Sequence, residues 1–291
     1  MISNRGESLR SGTEIEARWR PPVGNASITL HCYFCGNTAN TIDHVPPRAC
    51  FPDGYAPEGF EFPACEACNQ GTKKQDQIFG LYSMLLDFDG SKMRSPEDLE
   101  KMSKLRHGIA NNYPEALPDE ARALPVNRFG SLVTPKPVAV SIPVTPSARD
   151  AMEVMSRKLT HALYLREVDR ILTTQHRFFG VAYQPQRAGT EALTEFFDSV
   201  LPKATVGARG NVRQYGDRFM YKWGAKLPGG FFVYAAQFGR GIVLWGIVIG
   251  PQGEIPAVGP LSSMTWLAGA CGPGAIAVRP GNKPAEACGG K

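Results

Sequence analysis

Residues 32–52 read CYFCGNTANTIDHVPPRACFP, and ten residues later residues 62–79 read FPACEACNQGTKKQDQIF. Cys32-x-x-Cys35 in the first stretch is answered by Cys65-x-x-Cys68 in the second. Each pair has the spacing that lets two thiolates wrap one edge of a tetrahedral ion, and four thiolates close the site with no position left for a substrate. The pattern therefore predicts a structural Zn²⁺ held by Cys32, Cys35, Cys65 and Cys68, not disulfides. Such an ion supplies on the order of 10 kcal/mol to a segment too small to fold well alone. The 29 residues between the pairs exceed a minimal zinc ribbon, so an insert is expected there. Cys50, Cys271 and Cys288 have no pairing pattern. His31 beside Cys32 is expected to face solvent.

The rest of the composition sets the background. The chain has 291 residues, 43% hydrophobic and 20% charged, which suits a globular protein with one large or two smaller cores. A formal net charge of +5 is compatible with a polyanionic partner without demanding one. Residues 1–27 are polar, carry no apolar core of a secretion signal and contain Pro21-Pro22, so they read as a flexible leader. The longest apolar run, FFVYAAQFGRGIVLWGIVIG, is broken by Gly239-Arg240-Gly241 and is too short on either side to span a bilayer. No membrane partner is expected, and the cytoplasm is the default address.

Periodicity divides the chain further. Residues 28–90 carry the cysteines, and 91–144 form a helix and a proline-rich connection. That helix starts at Ser95-Pro96, a capping serine before proline at the first helical position. Residues 145–250 form an α+β domain, and 251–291 a Gly/Pro/Ala-rich tail. Thr145-Pro146 opens a helix with Ala151, Met155, Leu159, Ala162 and Leu163 on one face, and Arg157, Lys158 and Arg166 on its wet side. A second helix is expected at 189–202. Phe219, Tyr221 and Trp223 alternate as the buried face of a strand, and 231–238 and 242–249 form a hairpin. His161 and His176 have no partner pattern.

Between the cysteine pairs stands Asp43-His44-Val45-Pro46-Pro47, and Asn69 follows Cys68 directly, with Lys73, Lys74 and Asp76 beyond it. Cys-x-x-Cys, Asp-His-Val-x-Pro, Cys-x-x-Cys-Asn and a following Lys and acid, in that order, resemble the HNH endonucleases of the ββα-metal type. The resemblance covers residues 32–82. It implies a zinc-stapled ββα module there, and the periodicity downstream adds a larger α+β domain with two helices and an antiparallel sheet, α+β overall. The resemblance also implies phosphodiester hydrolysis, with His44 as general base and Asp43 as ligand of a catalytic Mg²⁺ or Mn²⁺. Asn69 matches the motif asparagine, which either ligates that ion or holds the base-bearing loop in place. The third motif position expects a histidine on the helix. Asp76, seven residues after Asn69 and two turns on, is the candidate third ligand. Lys73 and Lys74 would bind substrate phosphates. The family favours DNA over RNA, and double-strand cleavage would need a homodimer or two encounters.

Two other functions fit the same residues. One is a zinc-stabilised nucleic-acid-binding module whose catalytic layout has decayed, supported by the missing histidine. The other is a nuclease effector governed by a C-terminal sensor.

Overall fold

Four residues, Thr41–His44, alternate buried and half-buried side chains and form strand β1, which pairs antiparallel with β2 (Glu61–Ala64). The computed structural model describes residues 31–51, 54–87, 95–118, 125–126, 139–140, 143–183, 206–207, 218–226, 231–253, 266–268 and 277–278. The expected leader, the expected helix at 189–202 and most of the expected tail lie outside those residues. After β2 come helices α1 (Glu66–Gly71) and α2 (Lys73–Leu86), so β1, β2 and the helices follow the order ββα. Val45-Pro46 is a cis peptide bond, and a short 3₁₀ turn at Arg48–Cys50 follows it. Gly80 lets α2 lie against this turn: a Cβ there would fall 2.5 Å from that of Ala49.

Helix α3 (Pro96–Asn112) begins as its sequence predicts, with the Ser95 side chain accepting from the Asp98 amide. Helix α4 (Pro146–Val168) begins in the same way, Thr145 accepting from Ala148, and ends at Asp169 in a left-handed conformation. Two-residue strands β3 (Pro125–Val126) and β4 (Ala139–Val140) pair with each other.

The remaining strands are β5 (Arg177–Tyr183), β6 (Val206–Gly207), β7 (Phe219–Lys226), β8 (Phe231–Phe238), β9 (Ile242–Ile249), β10 (Trp266–Ala268) and β11 (Ala277–Val278). They form one antiparallel sheet in the order β11-β10-β5-β9-β8-β7-β6. The expected β8–β9 hairpin is present, turning at Gly239 with φ 53°. The fold is α+β, as the periodicity predicts.

Helix α4 lies between the ββα segment and the sheet. One run of ring contacts crosses all three layers: Phe34 meets His161 edge-on at 5.0 Å, and His161 meets Phe178 of β5 at 4.9 Å. Gly180 in β5 allows this approach, because a Cβ there would lie 2.3 Å from Ser156 Oγ on the helix. On the other flank, Phe60 packs edge-on against Phe219 and Tyr221 of β7, at 5.3 and 5.9 Å. The aromatic face of DRFMYKW is thus core. A single cluster of buried side chains runs from Cys32 through α4 to Val248.

Candidate functional site

The first cysteine pair sits on a turn closed by Gly36, at φ 79°, whose amide donates to Cys32 O at 2.9 Å. The second straddles the start of α1, with Cys65 as its N-terminal cap. Asn40 fixes one turn against the other, its side-chain oxygen accepting from the Glu66 amide at 2.8 Å. The Sγ atoms of Cys32, Cys35, Cys65 and Cys68 consequently all lie within 4.8 Å of one another, a group that can hold a metal ion. Cys35 and Cys65 are 3.6 Å apart, close to the ~3.8 Å edge of a tetrahedral thiolate site. Hydrogen bonds from Cys35 and Cys68 pull the Cys32 thiol down to about 2, and the same sharing pushes Cys35 up to about 12 and Cys68 higher still. A divalent cation bound at the centre would take the place of the protons these thiols share. His31 is exposed, as expected, with Nδ1 3.0 Å from Gly36 O.

Adjacent residues of β1 point to opposite sides, which separates Asp43 from His44. His44 keeps 19% of its side chain exposed. Its Nε2 lies 2.9 Å from Arg48 Nη2 and 3.1 Å from Glu61 Oε1, Glu61 being its cross-strand partner. Burial and the Arg48 charge hold its pKa below the ordinary value, against the pull of Glu61 and Asp43, so the ring is neutral at pH 7.

Asp43 faces inward. Its Oδ2 accepts from Tyr33 Oη at 2.8 Å and lies 2.9 Å from the ammonium of Lys158 on α4. The same ammonium donates to Asp76 Oδ1 and Oδ2 at 2.9 and 2.8 Å, and to Thr72 Oγ1 at 3.1 Å. Lys158 is completely buried. Burial alone would pull its amine down, but the charges of Asp43 and Asp76 more than reverse this and hold it protonated. Burial pushes Asp76 up to about 6 against the opposing pull of Lys158. The expectation that Lys158 lies on the wet side of α4 is therefore wrong. It stands seven residues after Ala151 and three after Met155, on the stripe that packs inward.

Asn69 and Asp76 do not share a face. The helix breaks at Thr72, whose φ of −105° and ψ of 1° cap α1 and open α2, so a seven-residue spacing no longer aligns the two side chains. Asn69 Nδ2 donates to Ile42 O at 3.0 Å and to Thr41 Oγ1 at 3.2 Å, tying α1 to β1. Of the two roles weighed for Asn69, this contact serves the holding of the His44-bearing strand. Lys73 is exposed at the start of α2, whereas Lys74 is engaged with Glu115 at 2.8 Å and the Tyr113 ring.

The structure thus joins Asp43 and Asp76 through Lys158, whereas the side chains of Asn69 and His44 make their hydrogen bonds to other groups. A catalytic Mg²⁺ or Mn²⁺ does not fit between the two acids as arranged, because the Lys158 ammonium stands there. Sequence reasoning missed Lys158, Arg48 and Glu61. A lysine on an apolar helical stripe was a readable signal for the first, whereas Glu61 is recognisable only once the β1–β2 register is known.

Compared with known protein families, curated proteins and solved structures, the chain gives no match. Among the described residues no helix is long and apolar enough to cross a membrane.

Proposed function

We propose that residues 31–87 form a zinc-stapled module of the HNH type that binds nucleic-acid phosphodiesters, DNA in preference to RNA, without holding a catalytic ion. The observation that carries this reading is the buried Lys158 ammonium, 2.9 Å from Asp43 and 2.8 Å from Asp76. Displacing it would break a desolvated charge cluster inside a continuous core, a cost of several kcal/mol. The four clustered cysteines support zinc as the staple. At the hairpin end, Arg48 offers a guanidinium suited to phosphate, beside an imidazole held neutral. Exposed Lys73 adds a second cation, and the net charge of +5 favours approach to a polyanion.

Metal-dependent hydrolysis with His44 as general base is the second reading. It is favoured by a partly exposed, neutral imidazole at the end of β1. One experiment separates the two. The zinc-loaded full chain is mixed with labelled duplex DNA, with and without Mg²⁺ or Mn²⁺, and both anisotropy and nicking are followed. Binding that weakens with salt and no nicking supports the first reading. Nicking by wild type that His44→Ala abolishes overturns it.

A further inference from the structure

We propose that Lys158 is a built-in cation standing in for a divalent one, and that removing its ammonium turns the Asp43–Asp76 pair into a site for a hard cation such as Mn²⁺. The inference rests on the reading above, in which wild type holds no ion there.

Four oxygens surround the ammonium: Asp43 Oδ2, both carboxylate oxygens of Asp76, and Thr72 Oγ1. All-oxygen coordination with a bidentate carboxylate is a donor set for a hard cation. The spacing belongs to an ammonium, since 2.8–3.1 Å is a hydrogen-bond distance and a metal would draw the ligands in by about half an ångström. Two of the donors are oriented by hydrogen bonds of their own. Tyr33 Oη donates to Asp43 Oδ2, and Thr72 Oγ1 donates to Cys68 O at 3.1 Å, which turns a lone pair toward Nζ. Both anchors belong to the cysteine turns, so the oxygen shell is set by the stapled segment. The cation alone comes from elsewhere, from a helix 82 residues further along the chain. Lys158→Ala would therefore remove the cation and leave its oxygen ligands positioned, with room for water to complete an octahedral shell.

The test titrates Mn²⁺ into zinc-loaded full-length protein, reading free Mn²⁺ by electron paramagnetic resonance and stability by thermal melting. Wild type, Asp76→Asn, Lys158→Ala and Lys158→Ala/Asp76→Asn are compared. Lys158→Ala is expected to bind one Mn²⁺ about tenfold or more tighter than wild type, with a Mn²⁺-dependent rise in Tm, and the added Asp76→Asn is expected to abolish both. If Lys158→Ala does not fold without Mn²⁺, the titration is read as recovery of far-UV dichroism. Lys158→Gln, which keeps much of the side-chain volume without the charge, is measured beside it. Absence of binding or recovery in both variants overturns the inference, as does binding that persists with Asp76→Asn. Tight binding by wild type that Asp76→Asn abolishes overturns the underlying reading instead.

Discussion

Replacing Lys158 by methionine keeps an unbranched side chain of similar length and deletes the ammonium with its charge and hydrogen-bond donors. Asp43 and Asp76, buried behind Tyr33 and Thr72, then lose the cation that both share. Breaking a buried pair from one side costs about 3–5 kcal/mol because the remaining charge is stranded. The cost depends on pH, and its sign follows from Asp76. Its folded pKa is already raised from 3.8 to about 6, so its ionised form costs stability above that range, about 3 kcal/mol at two units of displacement. As pH falls through about 6 toward 3.8 the folded protein protonates Asp76 and sheds that cost. Without Lys158 the pKa moves higher still, so Lys158→Met should be most damaging near pH 8 and least near pH 5. Urea denaturation of zinc-loaded protein at both values measures this. Combining Lys158→Met with Asp43→Asn and Asp76→Asn should recover most of the loss, since neither acid then carries charge. A loss below about 1 kcal/mol at pH 8, or an equal loss in the Asn/Asn background, would refute the reasoning.

Other residues lead to separate outcomes. Zinc content measured by mass spectrometry should be one ion per chain, and Cys65→Ser should lower it and expose the β1–β2 segment to proteolysis, by on the order of several kcal/mol of lost stability. Asn69→Ala removes two hydrogen bonds that pin β1 and should cost about 1–3 kcal/mol by urea denaturation, with zinc content unchanged. Arg48→Ala should weaken DNA binding and flatten its salt dependence by about one counterion, read by anisotropy over a salt series. Because the Arg48 charge holds the His44 pKa down, the same variant should raise that pKa, read from the imidazole resonances in an NMR pH titration.

What the sequence made legible was local. Cys32, Cys35, Cys65 and Cys68 are found by spacing alone, because each pair needs only one tight turn. Ser95-Pro96 and Thr145-Pro146 mark helix starts because a cap acts within three residues. The β8–β9 hairpin follows from Gly239 between two apolar runs. Strand β5 was missed: RFFGVAY lacks alternation, since Gly180 is placed by the closeness of α4 and not by a strand rule. The site misled for a related reason. Asp43 and Asp76 do meet, but through Lys158, which lies far along the chain on a helix whose lysine reads as surface. The break at Gly71-Thr72 cost the Asn69–Asp76 alignment, though a glycine before a β-branched residue was a visible warning.

Anomalous diffraction tests the central claim most directly, on crystals of the full chain grown with zinc and soaked in Mn²⁺. Data collected at the zinc edge and at an energy sensitive to manganese should show one zinc peak equidistant from Cys32, Cys35, Cys65 and Cys68. They should show no peak between Asp43 and Asp76, with Lys158 Nζ in density there. A manganese peak between those carboxylates, with Lys158 swung away, would contradict the account and return the pair to service as a catalytic metal site.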